Sequence, residues 1–97
     1  GHNHNYPLPR GTTDAAWLDA IAHGLTQLAD ADALIIALGF DASAAEPLAF
    51  LHIGDDGFSR AASLIAARRL PTVLVQEGGY NTATLGPLLA RFLEALA

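Results

Sequence analysis

With 97 residues, 52% of them hydrophobic, the chain has room for one small folded unit and excludes a multidomain enzyme or a disordered segment. Ten acidic residues against five basic give a formal net charge of −5, which repels phosphate backbones and argues against nucleic-acid binding while mildly favouring a cationic small molecule. The absence of cysteine excludes disulfides, thiolate metal sites and a cysteine nucleophile, and fits a reducing, cytoplasmic setting.

The first twelve residues are rich in Gly, Asn, His and Pro, and Pro7 and Pro9 remove two backbone donors, so only Asn5 to Leu8 is expected to offer a short extended edge. No basic and apolar leader pattern is legible there, and secretion is not expected. From Thr13, read as an N-cap with Asp14 in the first turn, Leu18, Ile21, Ala22, Leu25, Leu28 and Ala29 share one helical face, flanked by Trp17. A helix is predicted over Thr13 to Ala29. Ala33-Leu34-Ile35-Ile36-Ala37-Leu38 then runs without polar alternation, the pattern of a parallel strand buried on both faces. The whole apolar stretch to Phe40 is far short of the ~18 residues that span a bilayer, so no membrane insertion is expected.

Gly39-Phe40-Asp41 ends that strand, and an irregular stretch containing Pro47 follows. Asp55 and Asp56 open a second helix where its dipole favours negative charge; Phe58, Ala61, Ala62, Ile65 and Ala66 form its buried face, and Arg68 and Arg69 suit its C-terminus. Thr72-Val73-Leu74-Val75 predicts a second strand, cut off by Gln76-Glu77-Gly78-Gly79, and a last helix carries Leu85, Leu88, Leu89, Phe92, Leu93 and Leu96. The order α-β-α-β-α implies an α/β fold with parallel strands joined by right-handed crossovers. Two such strands make a weak independent sheet, so the chain reads as part of a larger one, and its bare edges invite pairing with a second copy or another partner.

In open parallel sheets the loops after the carboxyl ends of the strands form the ligand crevice. Here those loops bring Asp41 and Tyr80 to one rim, beside glycines that allow close approach and loop movement. The same residues also fit a structural role, with Asp41 capping a turn and Tyr80 packed on the last helix.

Taken together, Gly39-Phe40-Asp41, Glu46-Pro47-Leu48, Gly57-Phe58 and Glu77-Gly78-Gly79-Tyr80-Asn81 resemble the C-terminal portion of zinc-dependent histone deacetylase-like amidohydrolases. Asn5-Tyr6-Pro7-Leu8-Pro9 with Gly11-Thr12-Thr13-Asp14 is similar to the acetylpolyamine amidohydrolase branch, and the resemblance covers nearly all of the chain in the family's order. It implies that residues 1–97 are the C-terminal segment of a deacetylase-like catalytic domain with an arginase/deacetylase-like parallel-sheet fold, order (β)-α-β-α-β-α.

By that resemblance Asp41 is the second aspartate ligand of a catalytic Zn²⁺, and Tyr80 is the tyrosine whose hydroxyl bonds the scissile carbonyl and then the oxyanion. Leu48 would line the substrate tunnel, with Gly78 and Gly79 beside the substrate. The implied reaction is hydrolysis of the acetyl amide of an acetylated polyamine or an acyl-lysine, releasing acetate and a free amine. The family takes its Asp-x-His ligands and its paired catalytic histidines from upstream sequence, so this chain is expected to carry one zinc ligand and no general base, and to be inactive alone. Ala45-Glu46 stands where the family commonly has Gly-Asp before proline, and Gly54 where a helix-capping Thr is usual.

Other polar residues admit two readings each. His2 and His4 either belong to an exposed terminus or join Asp41 in a two-histidine, one-carboxylate site, and the family resemblance also implies a backbone carbonyl near His2 as a contact for a monovalent cation. His23 and His52 read as solvated. Glu77 either accepts backbone hydrogen bonds that orient the tyrosine loop or is a structural carboxylate, and Arg10, Arg60 and Arg91 read as surface charges. The alternative to an enzyme segment is a catalytically silent remnant that acts as a binding or oligomerisation module. A receiver-like or nucleotide-binding half domain ranks last, because the chain has no phosphate-cradling glycine loop and no acidic cluster for Mg²⁺.

Overall fold

Helix α1 (Asp14–Thr26), strand β1 (Leu34–Leu38), helix α2 (Asp55–Ala66), strand β2 (Thr72–Gln76) and helix α3 (Thr82–Leu96) follow one another in a computed structural model that describes residues 3–97. The α/β alternation is the one the periodicity predicts. Helix α1 stops a turn short of Ala29, because after Thr26 the backbone tightens into i to i−3 bonds, Gln27 to Gly24 at 3.1 Å and Leu28 to Leu25 at 3.1 Å. These turns continue the helical sense, so the apolar spacing runs on although Leu28 is exposed. Residues Asn5 to Leu8 form no strand.

The two strands pair in parallel, Leu34 opposite Thr72 through Leu38 opposite Gln76. Side chains alternate across the sheet. Leu34 and Leu38 are buried and Ile36 and Leu74 pack against the core, whereas Ile35, Val73 and Val75 on the other face are 79%, 59% and 48% exposed. The unbroken apolar run of β1 reads as burial on two faces, but the chain's own helices cover only one.

Helix α2 lies between α1 and α3 and touches both. Its Phe58 is the centre of an aromatic cluster: Trp17 at 5.2 Å, Phe40 at 5.1 Å, and Phe92 reached through Phe40 at 6.3 Å between ring centroids. Phe40, Phe58 and Phe92 are almost fully buried, so residues from β1's end, α2 and α3 are locked to one another at the rim where the strand-end loops emerge.

The two helix starts are joined by a device that local sequence does not reveal. Neither Thr13 nor Gly54 makes a side-chain cap; instead Asp14 Oδ1 accepts the Gly54 N–H at 2.8 Å, placing a carboxylate of α1 at the N-terminus of α2, where the helix dipole favours it. A Cβ on Gly57 would stand 2.8 Å from Asp14 Cγ, so this approach requires glycine. Arg91 of α3 is a surface charge, as read from the sequence, and pairs there with Asp56 at 2.7 Å and Asp55 at 3.4 Å.

Candidate active site

The parallel ladder does not stop at the ends of the strands. Glu77 N–H donates to Leu38 O at 2.7 Å and Phe40 N–H to Gly78 O at 2.9 Å, so the loops after β1 and β2 leave the sheet side by side. Asp41 therefore faces the glycine loop directly. A Cβ on Gly39 would lie 2.8 Å from Asp41 Oδ1, and one on Gly78 would lie 2.9 Å from both Cγ and Oδ2. The carboxylate is seated in space that only these two glycines leave free, while Asp41 as a residue stays open to solvent.

Gly79 has φ +138, a conformation that L side chains rarely adopt, and a Cβ there would meet Leu85 Cδ1 at 2.8 Å. The backbone turns sharply at this point and delivers Tyr80 to the rim. Tyr80 is 72% exposed, so its ring is not packed on the last helix as a purely structural role would require. Leu48 is 94% exposed; the described residues build no tunnel around it.

The carboxylate that holds the tyrosine loop is Glu46. It is buried, and its Oε1 and Oε2 accept the backbone N–H groups of Tyr80 at 2.6 Å and Asn81 at 2.8 Å. Asn81 Nδ2 donates back to Ala45 O at 2.8 Å, and Asn81 Oδ1 accepts from Ala83 N at 3.2 Å as the cap of α3. Glu77, for which the sequence leaves open either orienting this loop or a structural role, is exposed. Alternation puts Glu77 on the same uncovered face as Val73 and Val75, and the orienting task falls to a residue more than thirty positions earlier. The Glu46 loop is itself anchored: Ser43 and Ile53 form a parallel bridge, with Ala44 N–H to Ile53 O at 2.9 Å and Ile53 N–H to Ala42 O at 3.0 Å.

His4 is exposed, and His2 lies outside the described residues, as does any cation contact there. His23 is exposed on α1, where its Nδ1 is 2.8 Å from the Tyr6 hydroxyl, and His52 is exposed with its backbone N–H on Thr12 O at 2.8 Å. Among the described residues no three His, Cys, Asp or Glu side chains converge into a metal cluster; the alternative site of His2, His4 and Asp41 includes His2 and so lies outside them. Among the same residues no helix is long and apolar enough to cross a membrane.

The rim thus consists of a carboxylate seated on two glycines, a sharply turned glycine loop and an exposed phenol held through its backbone. Known proteins resemble the chain over the residues that build this rim. The profile of the histone deacetylase domain matches residues 1–96. The acetylpolyamine amidohydrolase of Burkholderia pseudomallei (strain 1710b) is 42% identical over 87 residues, covering 88% of this chain and 26% of the relative. That of Mycoplana ramosa is 31% identical over 99 residues, covering 100% of this chain and 29% of the relative. A crystal structure of acetylpolyamine aminohydrolase from Burkholderia pseudomallei, from an iodide soak, superposes with a TM-score of 0.92 at 38% identity, over 97% of this chain and 28% of that one. The chain therefore spans between a quarter and a third of the length of these relatives, and its two-stranded parallel sheet with three helices reproduces part of the acetylpolyamine amidohydrolase fold. By sequence and by structure, the chain belongs to the histone deacetylase domain family.

Proposed function

We propose that residues 1–97 are the C-terminal segment of a zinc-dependent amidohydrolase domain that removes acetyl groups from acetylated amines, with acetylated polyamines and acyl-lysine as the two substrate classes. The observation that carries this reading is the seating of the Asp41 carboxylate against the Gly78-Gly79-Tyr80 loop. A metal ligand and a hydroxyl donor for the same acyl group must be presented from one rim, and the similarity to the relative from Mycoplana ramosa named acetylpolyamine amidohydrolase extends over the whole chain, this rim included.

Asp41 supplies one anionic oxygen ligand, suited to Zn²⁺ in charge and in accessibility. A catalytic zinc takes about three protein ligands, and no such set converges among the described residues, so on this reading the remaining ligands lie outside them. When bound, zinc supplies Lewis-acid polarisation and an acidified water. Tyr80 donates its hydroxyl to the acyl oxygen, and this bond strengthens as negative charge builds on that oxygen. Gly78 and Gly79, having no side chains, let the acyl group approach the backbone of the loop. Leu48 offers an apolar wall for the chain of the amine.

A second reading, a silent binding module, is favoured by one observation: Ile35, Val73 and Val75 leave one face of the sheet uncovered. One comparison separates the two. On the proposed reading, the longer domain that carries these residues together with upstream sequence cleaves an acetyl-lysine reporter. Tyr80→Phe then lowers its kcat/KM about 10²- to 10³-fold, and the 97 residues alone are silent. Silence of the longer domain overturns this reading in favour of the binding module.

A further inference from the structure

We propose that Glu46 is a positioning residue that sets the place of the Tyr80 hydroxyl by clamping the backbone beneath it; the proposal rests on the role given to Tyr80 above. Tyr80 is 72% exposed, so packing does little to hold its ring and the hydroxyl stands wherever the backbone puts it. On one side of Tyr80 lie Gly78 and Gly79, a stretch able to swivel. Gly78 is anchored by its carbonyl to Phe40 N–H at 2.9 Å, and Gly79 turns at φ +138. On the other side Asn81 is fixed to the first turn of α3, its carbonyl accepting from Thr84 N–H at 3.1 Å and Thr84 Oγ1 at 3.2 Å.

Between these anchors the Glu46 carboxylate grips two successive amides, Tyr80 N–H at 2.6 Å and Asn81 N–H at 2.8 Å. Such charge-assisted bonds are short and about twice as strong as neutral ones. The amides in question precede α3, so the helix dipole adds to the attraction for the anion. A third bond, Asn81 Nδ2 to Ala45 O at 2.8 Å, prevents the pair of segments from sliding. Phe40 and Ser43, both buried, hold the Asp41 loop from which Glu46 reaches across. The hydroxyl donor and the proposed metal ligand are thereby referred to one rigid piece of chain.

The side-chain chemistry defines the test. Glutamine in this place keeps the shape but offers one acceptor and one NH₂, which faces an N–H donor, so one amide loses its partner. Aspartate keeps both acceptors on a shorter arm. In the longer domain carrying these residues, Glu46→Gln is expected to lower kcat at least about 10-fold, as a misplaced catalytic group does, with KM little changed. In a Tyr80→Phe background the same substitution is expected to change kcat by less than about twofold, because the two residues act as one unit. Glu46→Asp should recover part of kcat. In the 97-residue chain, where no activity is needed, exchange of the Tyr80 and Asn81 amide hydrogens should quicken at least about 10-fold with Glu46→Gln, while amides of β1 are unaffected.

Equal losses of kcat in the two backgrounds, or no loss in either, overturn the proposal, as does unchanged exchange at Tyr80 and Asn81. A Tyr80→Phe enzyme of full activity instead overturns the role of Tyr80 itself, a separate and recognisable result. If Glu46→Gln fails to fold, Glu46→Asp carries the same cycle, with its loss expected only where the Tyr80 hydroxyl is present.

Discussion

Replacing Gly78 by alanine separates the seating of Asp41 from the stability of the fold. The new Cβ would stand 2.9 Å from Asp41 Cγ and Oδ2 and 3.3 Å from Oδ1. Nonbonded carbon contacts are comfortable at about 3.5–4.0 Å, so the carboxylate must withdraw by roughly 0.5–1 Å. Asp41 is exposed and its side chain short, so rotation about χ1 relieves the clash for about 1 kcal/mol or less. For a domain of this size that is a loss of at most about 4–8 °C in Tm. A shift of the same amount in a metal ligand, whose distance is tolerated within about 0.2 Å, lowers turnover of the longer domain by about 10²-fold. Gly79→Ala makes the opposite bargain. At φ +138, with Leu85 Cδ1 2.8 Å from the new Cβ, it strains the backbone itself, at a cost of about 1–3 kcal/mol. Thermal melts followed by circular dichroism, with deacetylation rates on the longer domain, should rank Gly79→Ala as the less stable variant and Gly78→Ala as stable but slow. A Gly78→Ala enzyme of unchanged rate would refute the seating argument, and so would a Gly78→Ala chain that melts below Gly79→Ala.

Other consequences follow from the packing. Phe40→Ala empties a site that is 1% exposed between Phe58 and Phe92, and denaturant titration should show a loss of about 3–5 kcal/mol; a loss under about 1 kcal/mol would mean that the cluster is not the core. Arg69 sits at φ 54 just past α2, where glycine is preferred, so Arg69→Gly should raise stability by about 0.5–1 kcal/mol, and a fall in Tm would contradict it. Ile35→Lys places a charge on the uncovered sheet face, 79% exposed, so analytical ultracentrifugation of the 97-residue chain should find less self-association than in the parent chain and no loss of helix. Unchanged association would place the sticky surface elsewhere.

Much of this architecture is written in local periodicity. The apolar faces of α2 and α3 and the run Leu34 to Leu38 fixed element types within a few residues, because helices and strands bury side chains with different periods. Where spacing misled, the cause was local too: turns after Thr26 imitate helical spacing, and an apolar run does not say whether its second face is covered by its own chain. The site divides along the same line. The strand-end positions of Asp41 and Tyr80 followed from topology alone. Glu46 did not, since its partners lie 34 and 35 residues away and a buried carboxylate looks like any other in sequence. Glu77, which adjoins the glycines, was open to that role or to a structural one. Asp14 was legible as a first-turn acid of α1, but its bond to Gly54, 40 residues on, belongs to tertiary structure.

The zinc content of the longer domain, before and after Asp41→Ala, bears most directly on the assignment of this rim. Because Asp41 is exposed and outside the core, the variant should fold as the parent does while its zinc affinity falls by more than about 100-fold, beyond the loss usual for an outer-shell partner. An Asp41→Ala domain that keeps its zinc with undiminished affinity would contradict the account.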